Sequence, residues 1–490
     1  MENKLTDSYN KIRNDVLGYV PSKLLVVFNF LFIIPLLAHV FNETEMSYYF
    51  LCIQFLNIMC TCSSDWITKS IIRFHEKYKI HGLLDDFYSS ILWLILFTNL
   101  ILSVIFISCH SIIYEHFNLN LTLCLQTLFI VLPCGIRQLL FQFLRVTDRC
   151  VLYTAAIVIY QIILIFLIVT FCKYNTHAYS IILSMNIAMF LVDIFMIKNV
   201  KLDYKIKFKV NKDMLFEFTK YSLPLLITNV SYWLTLHFSK LYFQNQSQFL
   251  YTAIVGFCMM LVTYIISSIA STFNFACFPV IVKKYEYKEQ LKAYWTKTLQ
   301  LYVLYILPMV MVFCCFFNEI TVIMLPSKYH IGSITLPFFA LSVFLHEFLK
   351  LITVKYHLNN STYTETIISI FVLVISLILN VVLMQHYGIL GAAVALFITE
   401  SLFLILNTSI SIKNLDYISF SQIFKTSAIV FLIGLVIFLI ITCIFNYITL
   451  FSNTLAENII KVALYICAYY AVCLIAKNKF LNYKTIDNNM

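Results

Sequence analysis

The chain has 490 residues, of which 61% are hydrophobic and only 12% charged, with a formal net charge of +10 and a mean hydropathy of +0.86. A soluble protein carries roughly a quarter charged residues, and soluble cores stop growing at about 250–300 residues, so this composition excludes a water-soluble globular protein and requires lipid as the main solvent. The positive charge does not point to nucleic acid, because the lysines and arginines sit in short loops between apolar runs.

A bilayer-spanning helix needs about 20 apolar residues. Runs of that length, bounded by polar punctuation, predict an all-α polytopic membrane protein with about fourteen transmembrane helices. They lie near 16–38, 46–68, 87–109, 118–143, 150–172, 176–197, 218–238, 249–272, 298–317, 331–352, 363–385, 387–411, 426–447 and 455–476. The first run carries Pro21, Pro35 and Lys23. It is too long for the apolar core of a signal peptide and has no small-residue cleavage site after it, so it is expected to be a span. Prolines 21, 133, 224, 308 and 337 fall within or at the ends of spans, where they either kink a helix or start one.

Lysine and arginine set the expected orientation, because short cytoplasmic loops are enriched in them. With the N-terminus inside, 28 of the 34 basic residues fall on the cytoplasmic side. Only Lys23, Arg137, Lys173, Lys240, Lys328 and Lys461 do not. Both termini are therefore expected in the cytoplasm, and the outer loops are short and partly acidic (Glu43, Glu45, Glu115, Glu319).

The two halves echo each other. Tyr19-Val-Pro21 is matched by Tyr221-Ser-Leu-Pro224. Leu132-Pro133 followed by Phe143-Leu-Arg145 is matched by Leu336-Pro337 followed by Phe348-Leu-Lys350. Internal repeats flanking a midplane site are a common build of secondary transporters. The expected organisation is a six-helix N-terminal lobe over 1–200, a basic cytoplasmic linker over 201–217, a six-helix C-terminal lobe over 218–412, and two further helices with a tail over 413–490.

No P-loop, Gly-x-Ser-x-Gly or HExxH motif occurs, so no enzymatic activity and no ATP hydrolysis by this chain are expected. The 15 cysteines are scattered through apolar runs without CxxC or zinc spacing, and are expected to pack as small apolar residues. No cofactor and no metal are implied.

Charge inside the spans is the sharper signal, because it is expensive in hydrocarbon and normally faces a bundle interior or a wet cavity. Arg137 lies in mid-span just after Pro133-Cys-Gly135, either lining a cavity or held in a buried ion pair. Lys23 lies nearer a membrane end, where it either faces the cargo or snorkels. These two are the expected cationic substrate-binding residues. Asp65, Asp193, Glu347 and Glu400 are candidates for a coupling-ion or ion-pair role, and Lys240 is a further intramembrane charge.

The stretch Asn380-Val-Val-Leu-Met-Gln-His-Tyr-Gly-Ile-Leu-Gly-Ala-Ala-Val-Ala-Leu-Phe-Ile-Thr-Glu400 holds two of only eight glycines. Its Tyr-Gly-x-x-Gly-Ala-Ala-x-Ala…Glu pattern resembles the helix 11–12 corner of polysaccharide-exporting flippases of the multidrug/oligosaccharidyl-lipid/polysaccharide (MOP) superfamily. Small residues there are expected to let helix 12 pack closely on a neighbour. Gly18-Tyr-Val-Pro-Ser-Lys23, Lys69-Ser-Ile-Ile-Arg73-Phe74, Phe143-Leu-Arg145 and Lys328-Tyr329 with Leu336-Pro337 carry the resemblance along nearly the whole chain. Ser239-Lys240 departs from the Asp-Arg pair often found there. The resemblance implies a Wzx-type flippase in a bacterial inner membrane. Such a protein moves undecaprenyl-pyrophosphate-linked oligosaccharide units outward by alternating access, for O-antigen and related surface polysaccharides. It implies membrane lipid and a lipid-linked substrate as partners, with a polysaccharide polymerase and a chain-length regulator nearby, and no nucleic acid. The alternative within the superfamily is a MATE-like cation-coupled multidrug antiporter.

A topology reporter fused after Lys240 is expected to lie outside the cytoplasm. A cytoplasmic signal from that fusion would contradict the charge-derived orientation.

Overall fold

The computed structural model describes residues 21, 23–147, 149–200, 204–208, 210–284, 288–358, 361–412, 419–447 and 454–480. Expected features on the remaining residues lie outside the described ones. These include both chain ends, Lys201 and Lys209 of the linker, and Lys413.

Among the described residues every regular element is helical and no strand occurs. The helices are α1 (Lys23–Val40), α2 (Glu43–Cys60), a π-helical turn (Thr61–Asp65), α3 (Trp66–Ile80), α4 (Leu84–Ser108), α5 (His110–Phe117), α6 (Leu121–Val146), α7 (Cys150–Cys172), α8 (Ala178–Asn199) and α9 (Lys212–Asn245). They continue with α10 (Phe249–Lys284), α11 (Lys288–Cys315), α12 (Phe317–Met324), a 3-10 turn (Ser327–Thr335), α13 (Leu336–Leu358), α14 (Thr362–Ile412), α15 (Phe420–Tyr447) and α16 (Thr454–Phe480).

Twelve helical stretches among the described residues are long and apolar enough to cross a membrane. One of them, α14, runs for 51 residues, about 77 Å at 1.5 Å per residue. That is more than twice the roughly 30 Å of a hydrocarbon core. Gly388, with φ 54° and ψ −130°, divides it into two spans. To these α9 is added: its 34 residues suffice for a crossing, although Asn229, Ser231, Thr235 and His237 dilute its apolar middle. The fourteen expected helices are thus present, and the protein is a multi-pass membrane protein. Two short helices, α5 and α12, occupy stretches the hydropathy assigned to outer loops. The first helix of the predicted second half starts six residues early, because Asn211 caps α9 by accepting from the Asp213 and Met214 amides at 3.1 and 3.3 Å.

Two compact units are defined by internal contacts: residues 1–256 with 360–382, and residues 257–359 with 383–490. In the first, α2 packs on α6, α8 and α9, and α3 packs on α6 and α9. Its aromatic core includes Trp66, Phe74, Phe87, Tyr88, Phe143 and Phe218. Polar side chains fasten the helix ends. Asn42 caps α2 by accepting from the Glu45 amide at 2.8 Å. The Glu45 carboxylate in turn accepts from the Ala178 amide at 2.7 Å, at the N-terminus of α8, where an anion complements the helix dipole.

The described part of the basic linker is pinned along the start of α4. The amides of Lys205, Lys207 and Asn211 donate to Asp85, Ser89 and Ser90 at 2.9, 2.8 and 3.0 Å. Tyr204 stacks on Tyr88 with ring centroids 4.0 Å apart. Nearby, Lys77 of α3 pairs with Glu217 of α9, and the Tyr78 hydroxyl donates to the same carboxylate at 2.6 Å. Burial pushes the Glu217 carboxyl up, but these two hydrogen bonds and the charges of Lys77 and Arg73 outweigh it, so it sits below the usual carboxylate range. Its contribution to the α3–α9 latch is present above the unfolded-state value and is lost as pH falls through the folded one.

In the second unit α11 packs on α13, α15 and α16. Trp295 donates to the Leu351 carbonyl at 3.1 Å, and the Tyr302 hydroxyl to the Phe344 carbonyl at 2.9 Å, tying α11 to α13. The glycine-rich motif shapes the corner within α14. A Cβ on Gly391 would collide with the Leu383 carbonyl, so the residues on either side of Gly388 approach each other closely. The close approach expected of these small residues is made within α14 itself.

Gly391→Ala is expected to lower the thermal stability of the detergent-solubilised protein by the equivalent of about 1–3 kcal/mol, because the obstructing atoms are backbone and cannot rotate away. An unchanged unfolding temperature would show that the corner opens without cost.

Candidate functional site

The first unit holds its buried polar groups around the π turn. Such a turn widens the helix and leaves carbonyls without their usual partners. Here side chains take them up. Thr98 of α4 donates to the Ser63 carbonyl at 2.7 Å, the Trp66 indole to the Cys62 carbonyl at 2.8 Å, and Ser64 to the Cys60 carbonyl at 3.0 Å. Opposite lies the middle of α6, where Pro133 removes one helical amide. Gly135 follows, and a Cβ there would run into Ile95 and Asn99. Gln138, one turn on, accepts from Ser64 at 2.9 Å. Asp65 ends the π turn and accepts from Thr61 at 3.3 Å.

Arg137 points away from this contact, toward α8. Its Nη1 lies 3.1 Å from Oδ2 and 3.3 Å from Oδ1 of Asp193, and its Nη2 is 3.4 Å from the Met189 sulfur. Arg137 and Asp193 are 9% and 8% exposed. Of the two arrangements the sequence left open for Arg137, the geometry is that of a buried ion pair. Lys23 is half-buried in the first described turn of α1. Thus Arg137 and Asp193 are brought together, whereas Arg137 is turned to Asp193 rather than to Lys23. Lys69, adjacent to the π turn, donates to Asn229 of α9 at 3.0 Å.

The second unit has its own buried charges. Glu347 of α13 is 3% exposed and accepts from Lys350 at 2.8 Å. Glu400, on the second arm of α14, is 1% exposed. Its Oε2 lies 3.4 Å from His346 Nδ1, and its Oε1 has no hydrogen-bond partner among the described residues. Lys355 donates to the Asn407 carbonyl at 2.8 Å. His346 was missed from sequence, and Lys355, grouped there with the cytoplasmic lysines, is buried within α13. Among the described residues no group of three or more His, Cys, Asp or Glu could hold a metal ion.

Comparisons with known proteins place the fold. No family model and no curated protein sequence matches the chain. Solved structures do match, transporters among them. The lipid II flippase MurJ, in an inward closed conformation, superposes with a TM-score of 0.67 at 17% identity, covering 96% of this chain and 98% of that one. A eukaryotic MATE transporter gives 0.63 at 12% identity over 86% of this chain and 98% of that one. A multidrug resistance MATE family transporter of the MOP superfamily, in an inward-facing conformation, gives 0.58 at 13% identity over 84% and 99%. The chain therefore has the fold shared by MurJ and the MATE transporters.

Breaking the Arg137–Asp193 pair from one side leaves an uncompensated buried charge. Arg137→Met and Asp193→Leu are each expected to cost about 3–5 kcal/mol, and the double variant less than either. Thermal unfolding in detergent measures this. Additive losses would show that the two side chains do not act as a pair.

Proposed function

We propose that the protein flips undecaprenyl-pyrophosphate-linked oligosaccharide units from the cytoplasmic to the outer leaflet of a bacterial inner membrane, for O-antigen or related surface polysaccharide synthesis. In this reading it is a transporter without catalytic activity of its own. The observation that carries the proposal is a buried cation of the first unit, Lys240, with no carboxylate in ion-pair range among the described residues. Arg137 is neutralised by Asp193, while Lys240 of α9 is 3% exposed with His237 as its polar neighbour. Lys23 adds positive charge at the head of α1. A pyrophosphate linked to a lipid suits such cations, which hold it by charge-assisted hydrogen bonds while the prenyl chain stays in lipid. Similarity of fold to a flippase of a lipid-linked substrate supports the same reading. In the cycle, two six-helix lobes alternate around the cargo, and a polymerase and a chain-length regulator receive the product.

A second reading is a cation-coupled multidrug antiporter. One observation favours it: the buried Glu400 carboxyl, with an oxygen that has no partner among the described residues, offers a place for a cation or proton. The MATE structures share the fold.

Deleting the gene is expected to abolish surface polysaccharide and to trap lipid-linked units on the cytoplasmic leaflet. Re-expression of Lys23→Ala at normal protein level is expected to restore export about tenfold less well than the parent chain, the loss of one charge-assisted contact. Normal polysaccharide in the deletion strain, together with new sensitivity to cationic drugs, would select the antiporter.

A further inference from the structure

Three hydrogen-bond donors share one face of α9. Trp233, His237 and Lys240 follow at i, i+4 and i+7, which stacks them along a single stripe. The indole and imidazole rings meet edge to face with centroids 5.4 Å apart, and Lys240 Nζ lies 3.4 Å from His237 Nδ1. Trp233 is 8% exposed and Lys240 3%.

The stripe is short of acceptors. An indole N–H can only donate, and that of Trp233 has no acceptor among the described residues. The Lys240 ammonium offers three N–H groups, and among the described residues its polar neighbour is a nitrogen of His237, with no carboxylate in ion-pair range. The other buried cations are served differently. Arg137 has Asp193, and Lys355 has the Asn407 carbonyl. When His237 Nδ1 accepts from Lys240, the neutral ring carries its proton on Nε2, so a third donor joins the row. A buried ammonium without a counter-charge and a buried indole N–H without an acceptor are both costly, and one kind of group relieves both. A water molecule supplies an acceptor but no counter-charge. An oxyanion supplies both.

We propose that Trp233, His237 and Lys240 form a binding site for an oxyanion, a phosphate or carboxylate group borne by the cargo. This deepens the flippase reading and rests on it for the identity of the cargo, although binding of a free anion does not depend on transport. The site lies on α9 and is separate from the Arg137–Asp193 pair. The shared chemistry is the anionic oxygen, which the pyrophosphate of a lipid carrier or the carboxylate of an acidic sugar would each present.

The test is calorimetric titration of the purified full-length protein in detergent with inorganic pyrophosphate and, separately, with glucuronate. At least one of the two anions is expected to bind. Lys240→Met should weaken that binding about tenfold, the loss of one charge-assisted contact. Trp233→Phe keeps the ring and removes only the N–H, and should weaken it about threefold. Lys425→Met, at an exposed lysine, should leave it unchanged. Equal affinity in Lys240→Met and the parent chain, or no binding of either anion by the parent, overturns the site. Matching unfolding temperatures for Trp233→Phe and the parent make its result a statement about the N–H rather than about folding. Anion preference identifies which part of the cargo is read. Intact anion binding in a chain whose deletion leaves polysaccharide export normal would overturn the flippase reading and leave the site standing.

Discussion

A charge placed in hydrocarbon must find its counter-charge there, because no water arrives to replace it. The first unit obeys this at Arg137, whose two contacts with Asp193 join α6 to α8. The same constraint acts on the backbone. The π turn between α2 and α3 loosens carbonyls, and Thr98, Ser64 and Trp66 are placed to take them. These polar residues are thus committed to holding helices together.

Lys240 and Trp233 are as deeply buried as the Arg137–Asp193 pair, yet among the described residues the Trp233 indole N–H has no acceptor and Lys240 has no carboxylate in ion-pair range. In the second unit Glu400 is the counterpart of opposite sign, a buried carboxyl with one oxygen left over. A protein that carries an anion and couples its movement to a proton or cation would need one site of each sign. Solved structures of this fold include a lipid II flippase and multidrug resistance transporters, so the fold does not choose the cargo and the side chains must.

Much of the architecture was legible beforehand. Hydropathy located all fourteen long helices, because lipid imposes a length and a composition on each. The corner at Gly388 was legible as a motif, although its cause is a positive φ and the close approach of Gly391 to Leu383 rather than packing on a separate helix. The amphipathic helices α5 and α12 were not legible, since eight residues with mixed polarity carry no span signal. The site was read only in part. Intramembrane charge picked out Arg137, Asp193, Glu347 and Glu400, but no sequence pattern says that Arg137 faces Asp193 across two helices. Lys240 was visible as a charge, while Trp233 and His237 were hidden among many aromatics until the helix fixed their common face.

If the buried cations serve a lipid-linked anion, such a lipid should travel with the protein. Native mass spectrometry of the protein, extracted gently from cells that make surface polysaccharide, tests this most directly. The account predicts a co-purifying prenyl-pyrophosphate lipid, with or without sugars attached, that is retained by the parent chain and lost from Lys240→Met. Recovery of the chain with no such lipid, together with saturable binding of an organic cation, would contradict it.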